Sequence, residues 1–164
     1  MYLSEILNVD PGWLFFGQRS AGIRKEYASV ISDRGAVNFM IGLIQMAGFN
    51  CALAEDEEDV DFYAIVERRQ RRVAVRVGIE IFGDKVKFEL PNKHDGVLVM
   101  GVIRNSFSNF EVVIIPGAQI TSSGTRKGPH TEIVASKRNK GWAVGRHALT
   151  VVDDLAADVA RAAA

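Results

Sequence analysis

With one cysteine, Cys51, in 164 residues, the chain has no means of forming an internal disulfide or a thiolate metal cage. A structural thiol packed within Gly48 to Leu53 is the expected role. Net charge is lacking as well, because twenty basic residues balance twenty acidic ones. No whole-molecule field draws it to nucleic acid or to a membrane, so any charged surface must be local. Long apolar runs are also missing. Residues 36 to 47 come nearest, but Asn38, Gly42 and Gln45 interrupt them and they fall short of the ~20 residues that span a bilayer. Met1 to Glu5 carry no basic segment leading into an apolar stretch, so a secretory signal is not expected. The composition predicts a cytoplasmic protein of bacterial type.

What is present is apolar material in quantity. At 48% of a single-domain length, it predicts one continuous core and one domain over residues 1 to 164. Pro11-Gly12 signals a turn, and Trp13 to Phe16 read as either a short strand or an apolar packing arm. From Ser20, Ile23, Tyr27, Val30 and Ile31 recur at helical spacing. A second helix is predicted to start at Asp33, whose carboxylate suits an N-cap, and to stop at Gly48. Val37, Met40, Ile41 and Ile44 form one stripe of it, while Phe39, Leu43 and Met46 cover much of the remainder. Burial on most sides, as a central helix, is expected.

Strands follow. Asn50 to Ala54 is one, ahead of the acidic loop Glu55 to Asp59. Phe62 to Glu67 is the next, turned by Arg68 to Arg71 into Arg72 to Ile81, where Val73, Val75, Val77, Ile79 and Ile81 share one face by period-2 alternation. Gly83-Asp84 leads to a hairpin partner over Val86 to Leu90. Val97 to Ile103 and Phe110 to Ile115 are apolar enough to be covered on both faces. The polar stretch from Thr121 to Lys140 predicts an irregular excursion with a short ordered piece near Glu132 to Ala135. Thr150 to Asp153 resembles a capping box opening a last amphipathic helix.

This order of elements, with Asp59 to Glu67 placing an aspartate at the mouth of a strand and Arg72 to Gly78 forming the next one, resembles the restriction-endonuclease-like PD-(D/E)xK superfamily. The resemblance covers residues 33 to 116 and implies an α/β (α+β) fold, a central mixed sheet flanked by helices. Residues 1 to 32 would be an extension of that core, and 121 to 164 a basic segment and helix. It also implies a chemistry: acids on adjacent strands hold Mg2+ or Mn2+, which polarises a phosphodiester, and a lysine two residues on stabilises charge. Asp61 matches the first acid. Arg76 and Gly78 stand at the (D/E)xK positions, and Gly35-Ala36 stand where many relatives carry a helical glutamate. Arginine beside Asp61 is expected to pair with it rather than leave it to a cation. An enzymatic alternative keeps Asp61 and Glu80 as catalytic and metal-binding residues, with Lys85 or Lys87 for the lost lysine.

Charge is uneven late in the chain. Arg126, Lys127, Lys137, Arg138, Lys140 and Arg146 face only Glu132 between residues 121 and 150. With Arg72 and Arg76, the residues Arg126, Lys127, Lys137 and Arg138 are the candidate nucleic-acid contacts, and Trp142 is either a base-stacking platform or a core side chain. His130 and His147 read as surface histidines. Ser122 to Gly128 has the composition of a phosphate loop without its spacing. The resulting expectation is a degenerate nuclease-like module that binds DNA or RNA, dimerises through Trp13 to Phe16 and has no membrane partner. A metal-dependent nuclease with shifted ligands and a protein-protein adaptor are the alternatives.

Overall fold

The computed structural model describes residues 25 to 154, except 56, 58, 67, 83, 106 to 108 and 140, and also residue 157. The apolar segment from Trp13 to Phe16, and with it the expected dimer contact, lies outside the described residues.

One helix, α1 (Lys25–Met46), stands where two were predicted. Asp33 sits inside it and caps nothing. A Ser-Asp pair with no Gly or Pro beside it costs a helix only tenths of a kcal/mol, so the local break signal loses to continuity. The far end is as expected: Gly48, at φ +91°, donates its N–H to Gln45 O, and Phe49 donates to Ile44 O. Those paired bonds are a Schellman stop. Burial is one-sided, however. Ala36, Met40 and Ile44 are buried while Met46 is 79% and Phe39 42% exposed, so α1 covers a sheet rather than occupying the centre.

The remaining elements, in chain order, are β1 (Asn50–Leu53), β2 (Phe62–Val66), β3 (Arg69–Val77), β4 (Ile79–Glu80), β5 (Lys85–Pro91), β6 (Val97–Arg104), β7 (Phe110–Ile115), α2 (Gly117–Ser123), β8 (Thr125–Lys127), β9 (His130–Arg138), β10 (Gly141–Val144), β11 (His147–Ala148) and β12 (Thr150–Val151). The central sheet runs β1-β2-β3-β6-β7-β12. It is mixed, as expected: β3 and β6 are parallel, and the other neighbours are antiparallel. A second, antiparallel sheet, β11-β10-β9-β5-β4 with β8 on β9, covers one face of the first.

Two apolar layers result. On one side, Met40 and Ile44 of α1 pack with Phe62, Val73, Val75, Met100 and Val102. On the other, Ala74, Val99, Val113 and Ile115 meet Phe88, Leu90 and Ile133 of the second sheet, with Ile120 of α2 at the end of the layer. Being covered twice is why β6 reads as an almost unbroken apolar run. Gly101 lets the sheets approach: a Cβ there would lie 2.7 Å from the Phe88 ring.

Three further expectations are corrected. The strand predicted over Arg72 to Ile81 breaks at Gly78, whose N–H makes its last sheet bond to Val102 O, and residues 79 and 80 belong to the other sheet. A Cβ on Gly78 would collide with Val86, so the chain crosses between layers where only glycine fits. The excursion predicted over Thr121 to Lys140 is instead a helical turn and two strands, including the nine-residue β9 that pairs with β5 over its whole length. Thr150-Val151 forms β12 on β7 rather than a helix cap.

Candidate functional site

The register of β2 on β3 leaves an open edge. Phe62 is the first β2 residue to pair, opposite Val73, so the N–H groups of Val75 and Val77 have no strand partner beyond it. Two carboxylates take their place. Asp61 Oδ2 accepts from Val75 N at 2.7 Å and from Arg76 Nη1 at 2.6 Å, and Asp33 Oδ1, reaching from α1, accepts from Val77 N at 2.9 Å. Arg76 Nη1 also donates to Val75 O at 2.6 Å. Helix, strand mouth and neighbouring strand therefore converge on one ion-paired cluster.

Its electrostatics are those of a half-buried site. The Arg76 and Asp61 side chains are 19% and 23% exposed, so their attraction is screened less than that of a surface pair. Burial pushes the Asp33 carboxyl above its ordinary value; the Val77 hydrogen bond and Arg76 oppose the rise, and the Asp61 charge adds to it. Arg76 pairs with Asp61 and its charge also reaches Asp33.

Asp61 and Arg76 are thus brought together as the pairing argument expected. The sequence pattern does not single out Asp33 as a site residue, because its carboxylate reads as a cap that does not form; the signal for it is an acid inside the helix that precedes the Asp61 strand. Gly35 and Ala36 do not fill that role, Gly35 being exposed and Ala36 packed on the sheet. Continuing the β2–β3 register by one residue puts Ala74 opposite Asp61. The strand position beside the aspartate thus carries a methyl group, with Arg76 two residues further on the same face.

Glu80 lies elsewhere. It pairs with Val86 in the second sheet and lines a cleft of about 180 Å³ with Asp84, Arg104, Asn105 and Lys137. Among the described residues, Asp61 and Glu80 belong to no common carboxylate group spaced for a metal. Lys85 and Lys87 are also on the second sheet, and Lys87 is taken up by Glu89 and Glu132 at 2.9 and 3.0 Å. A divalent cation does not fit the Asp33–Asp61 cluster as built. Asp61 Oδ2 already carries a guanidinium and a backbone N–H, and Ala74 supplies no third carboxylate. Glu89, His130 and Glu132 do bring ligand atoms within 4.8 Å of one another on the second sheet, but the Lys87 ammonium already occupies an oxygen of each acid there.

The cations picked out in the sequence divide between two ends of the fold. Arg72 donates to Glu57 Oε2 at 2.9 and 2.5 Å; Arg126 and Lys127 sit on β8, Lys127 at 3.8 Å from Glu132. Lys137 stands 3.7 Å from Glu111 and 5.5 Å over the Trp142 ring, and Arg138 donates to Gly145 O. Since Lys127 pairs with His130, Lys137 and Arg138 are a further strand's length away, about 25 Å at the usual rise of β9. Trp142 is 4% exposed and donates its indole N–H to Glu111, so it packs the core and offers no face for stacking. His130 neighbours Glu132, and His147 is exposed on β11. The segment from Ser122 to Gly128 is the end of α2 followed by β8, and Gly124 is packed against Ile120 O and Thr131, so no open phosphate loop forms.

A mixed sheet with Asp61 at the mouth of β2 and Asp33 on the covering helix gives an α+β architecture. The fold matches that of a bacterial homing endonuclease at a TM-score of 0.52, over 72% of this chain and 82% of that one. Sequence identity is 13%, so the likeness is one of fold. No protein-family model and no curated protein matches the chain. Among the described residues no helix is long and apolar enough to cross a membrane.

Proposed function

We propose that this chain is a nuclease-like domain that binds nucleic acid, as a binding or regulatory module, without metal-dependent cleavage. One observation carries the reading: Arg76 is ion-paired at 2.6 Å with Asp61, on the very oxygen a water-activating cation would need, with Asp33 close enough to feel its charge. A guanidinium offsets part of the acids' charge, but it has no open coordination position and generates no hydroxide. What the fold offers nucleic acid is its architecture and the exposed cations of the β2–β3 and β5–β6 turns and of β8. The shared fold with a homing endonuclease supports DNA as the nucleic acid.

Two measurements on the purified protein test this. A labelled duplex should bind at low salt, with affinity falling steeply as salt rises. The same duplex should remain intact in Mg2+ or Mn2+. Metal-dependent cleavage that disappears in both Asp33→Ala and Asp61→Ala would replace this reading with an enzymatic one. Failure to bind DNA or RNA at low salt would leave the protein-adaptor alternative.

A further inference from the structure

The zero net charge conceals a segregation that the topology creates. At one end of the fold, β2 turns into β3 at Arg68, β5 passes to β6 through Asn92 to Gly96, and β8 turns into β9 at Gly128. The β5–β6 loop ties these pieces together: Asn92 donates to Gly128 O at 2.9 Å and accepts from Thr131, while Asp95 O accepts from Arg72. Arg68, Arg69, Lys93 and Arg126 are exposed at this end. Together with Arg71 they have no ion pair among the described residues. Among the described residues the acids nearby are already engaged, Glu57 by Arg72 and Glu132 by Lys87 and Lys127, which leaves Asp95.

A notch of about 420 Å³ opens in the middle of this end, where β6 starts between β3 and β7. Arg71 and Arg72 line one side, and Gly96 and Gly117 bring backbone to the surface. Arg71 Nε is shielded from solvent and, among the described residues, has no hydrogen-bond acceptor. Arg71 as a whole is only half-buried and lines the notch, so its remaining guanidinium N–H groups can offer an anionic oxygen there a charge-assisted bond. The opposite end, by contrast, mixes Arg76, Arg104, Lys137 and Arg138 with Asp33, Asp61, Glu80, Asp84 and Glu111.

We infer that this turn-rich end, away from the Asp61–Arg76 cluster, is the surface that grips the phosphate backbone of a nucleic acid, with Arg68, Arg69, Lys93 and Arg126 as outer contacts and Arg71 holding a phosphate in the notch. The inference rests on the nucleic-acid reading above and adds where the polymer lies. Fluorescence anisotropy of a short fluorescein-labelled DNA duplex tests it with three variants: R68Q/R69Q/K93Q, R71Q, and K137Q/R138Q. The triple variant should weaken binding at least about tenfold at low salt and lower the magnitude of the log–log salt slope by about 3. R71Q should weaken it several-fold, and K137Q/R138Q should stay within about twofold of the parent. The three outer residues are exposed, so circular dichroism should show the triple variant folded; Lys93→Gln alone, expected to lower the slope by about 1, serves if it is not. Full affinity in the triple and R71Q variants, or a larger loss in K137Q/R138Q, overturns the inference while leaving nucleic-acid binding intact. No binding by the parent protein overturns both.

Discussion

Arg76 Nη1 and Asp61 Oδ2 stand 2.6 Å apart at the point where β2 stops pairing with β3, and Asp61 uses the same oxygen to hold the Val75 N–H. One carboxylate thus closes a backbone edge and neutralises a half-buried cation. Removing it should cost more than either task alone. Asp61→Ala is expected to destabilise the fold by about 2–4 kcal/mol, leaving a guanidinium and an N–H unpaired. Arg76→Met should cost less, and the double variant should lose at least about 1 kcal/mol less than the sum of the two. Urea denaturation of the four proteins checks this, and strictly additive losses would show that the pair is not coupled.

Asp33 closes the same edge one hydrogen bond further along. Asp33→Ala should cost about 1–2 kcal/mol through the orphaned Val77 N–H, whereas Asp33→Asn keeps an acceptor. The two also differ in pH response. Burial raises the Asp33 carboxyl above its ordinary value of 3.8, so the folded chain holds that proton more firmly than the unfolded one. The contribution of Asp33 is therefore greatest in acid, and it falls as pH rises through the raised folded value. Relative to the parent, Asp33→Asn should gain stability across that window; a constant difference between the two urea midpoints would contradict the assignment.

Glu111 should show the opposite sign. The Asn105 hydrogen bond, followed by those from Trp142 and Lys137, holds it below the ordinary glutamate value of 4.5. Its stabilisation is fully present above 4.5 and drains away as pH falls through the lowered folded value. Glu111→Gln should cost about 1 kcal/mol at neutral pH, and the gap to the parent should close in acid.

Close approach of the two sheets depends on Gly101. In Gly101→Ala the new methyl would meet Phe88 at 2.7 Å and Val113 at 3.0 Å, and overpacking of this kind costs about 1–3 kcal/mol. Gly35→Ala, on the exposed side of α1 with nothing within 4 Å, should instead stabilise by about 0.5–1 kcal/mol. Thermal unfolding of the pair separates the two, the first melting below the parent and the second above it.

Much of this molecule was legible one residue at a time. The strand opening at Phe62, the apolar run of β6 and the glycine stop at residue 48 are local patterns, set by backbone geometry and burial alone. The pairing of Arg76 with Asp61 was also readable, because opposite charges on neighbouring strands attract whatever their exact register.

Other features depended on contacts between distant segments. Period-2 alternation runs straight through Gly78, since a strand that changes sheets keeps the same pleat; only the packing of Val86 reveals the crossing. Polarity hid β9, whose outward side chains His130, Glu132 and Ser136 are solvated while Thr131, Ile133 and Ala135 face the core. Asp33 looked like a cap because a carboxylate's nearest candidates in sequence are its own helix's N–H groups. The partner it found, Val77, is forty-four residues away, and only the folded arrangement of α1 over the free edge of β3 could choose it.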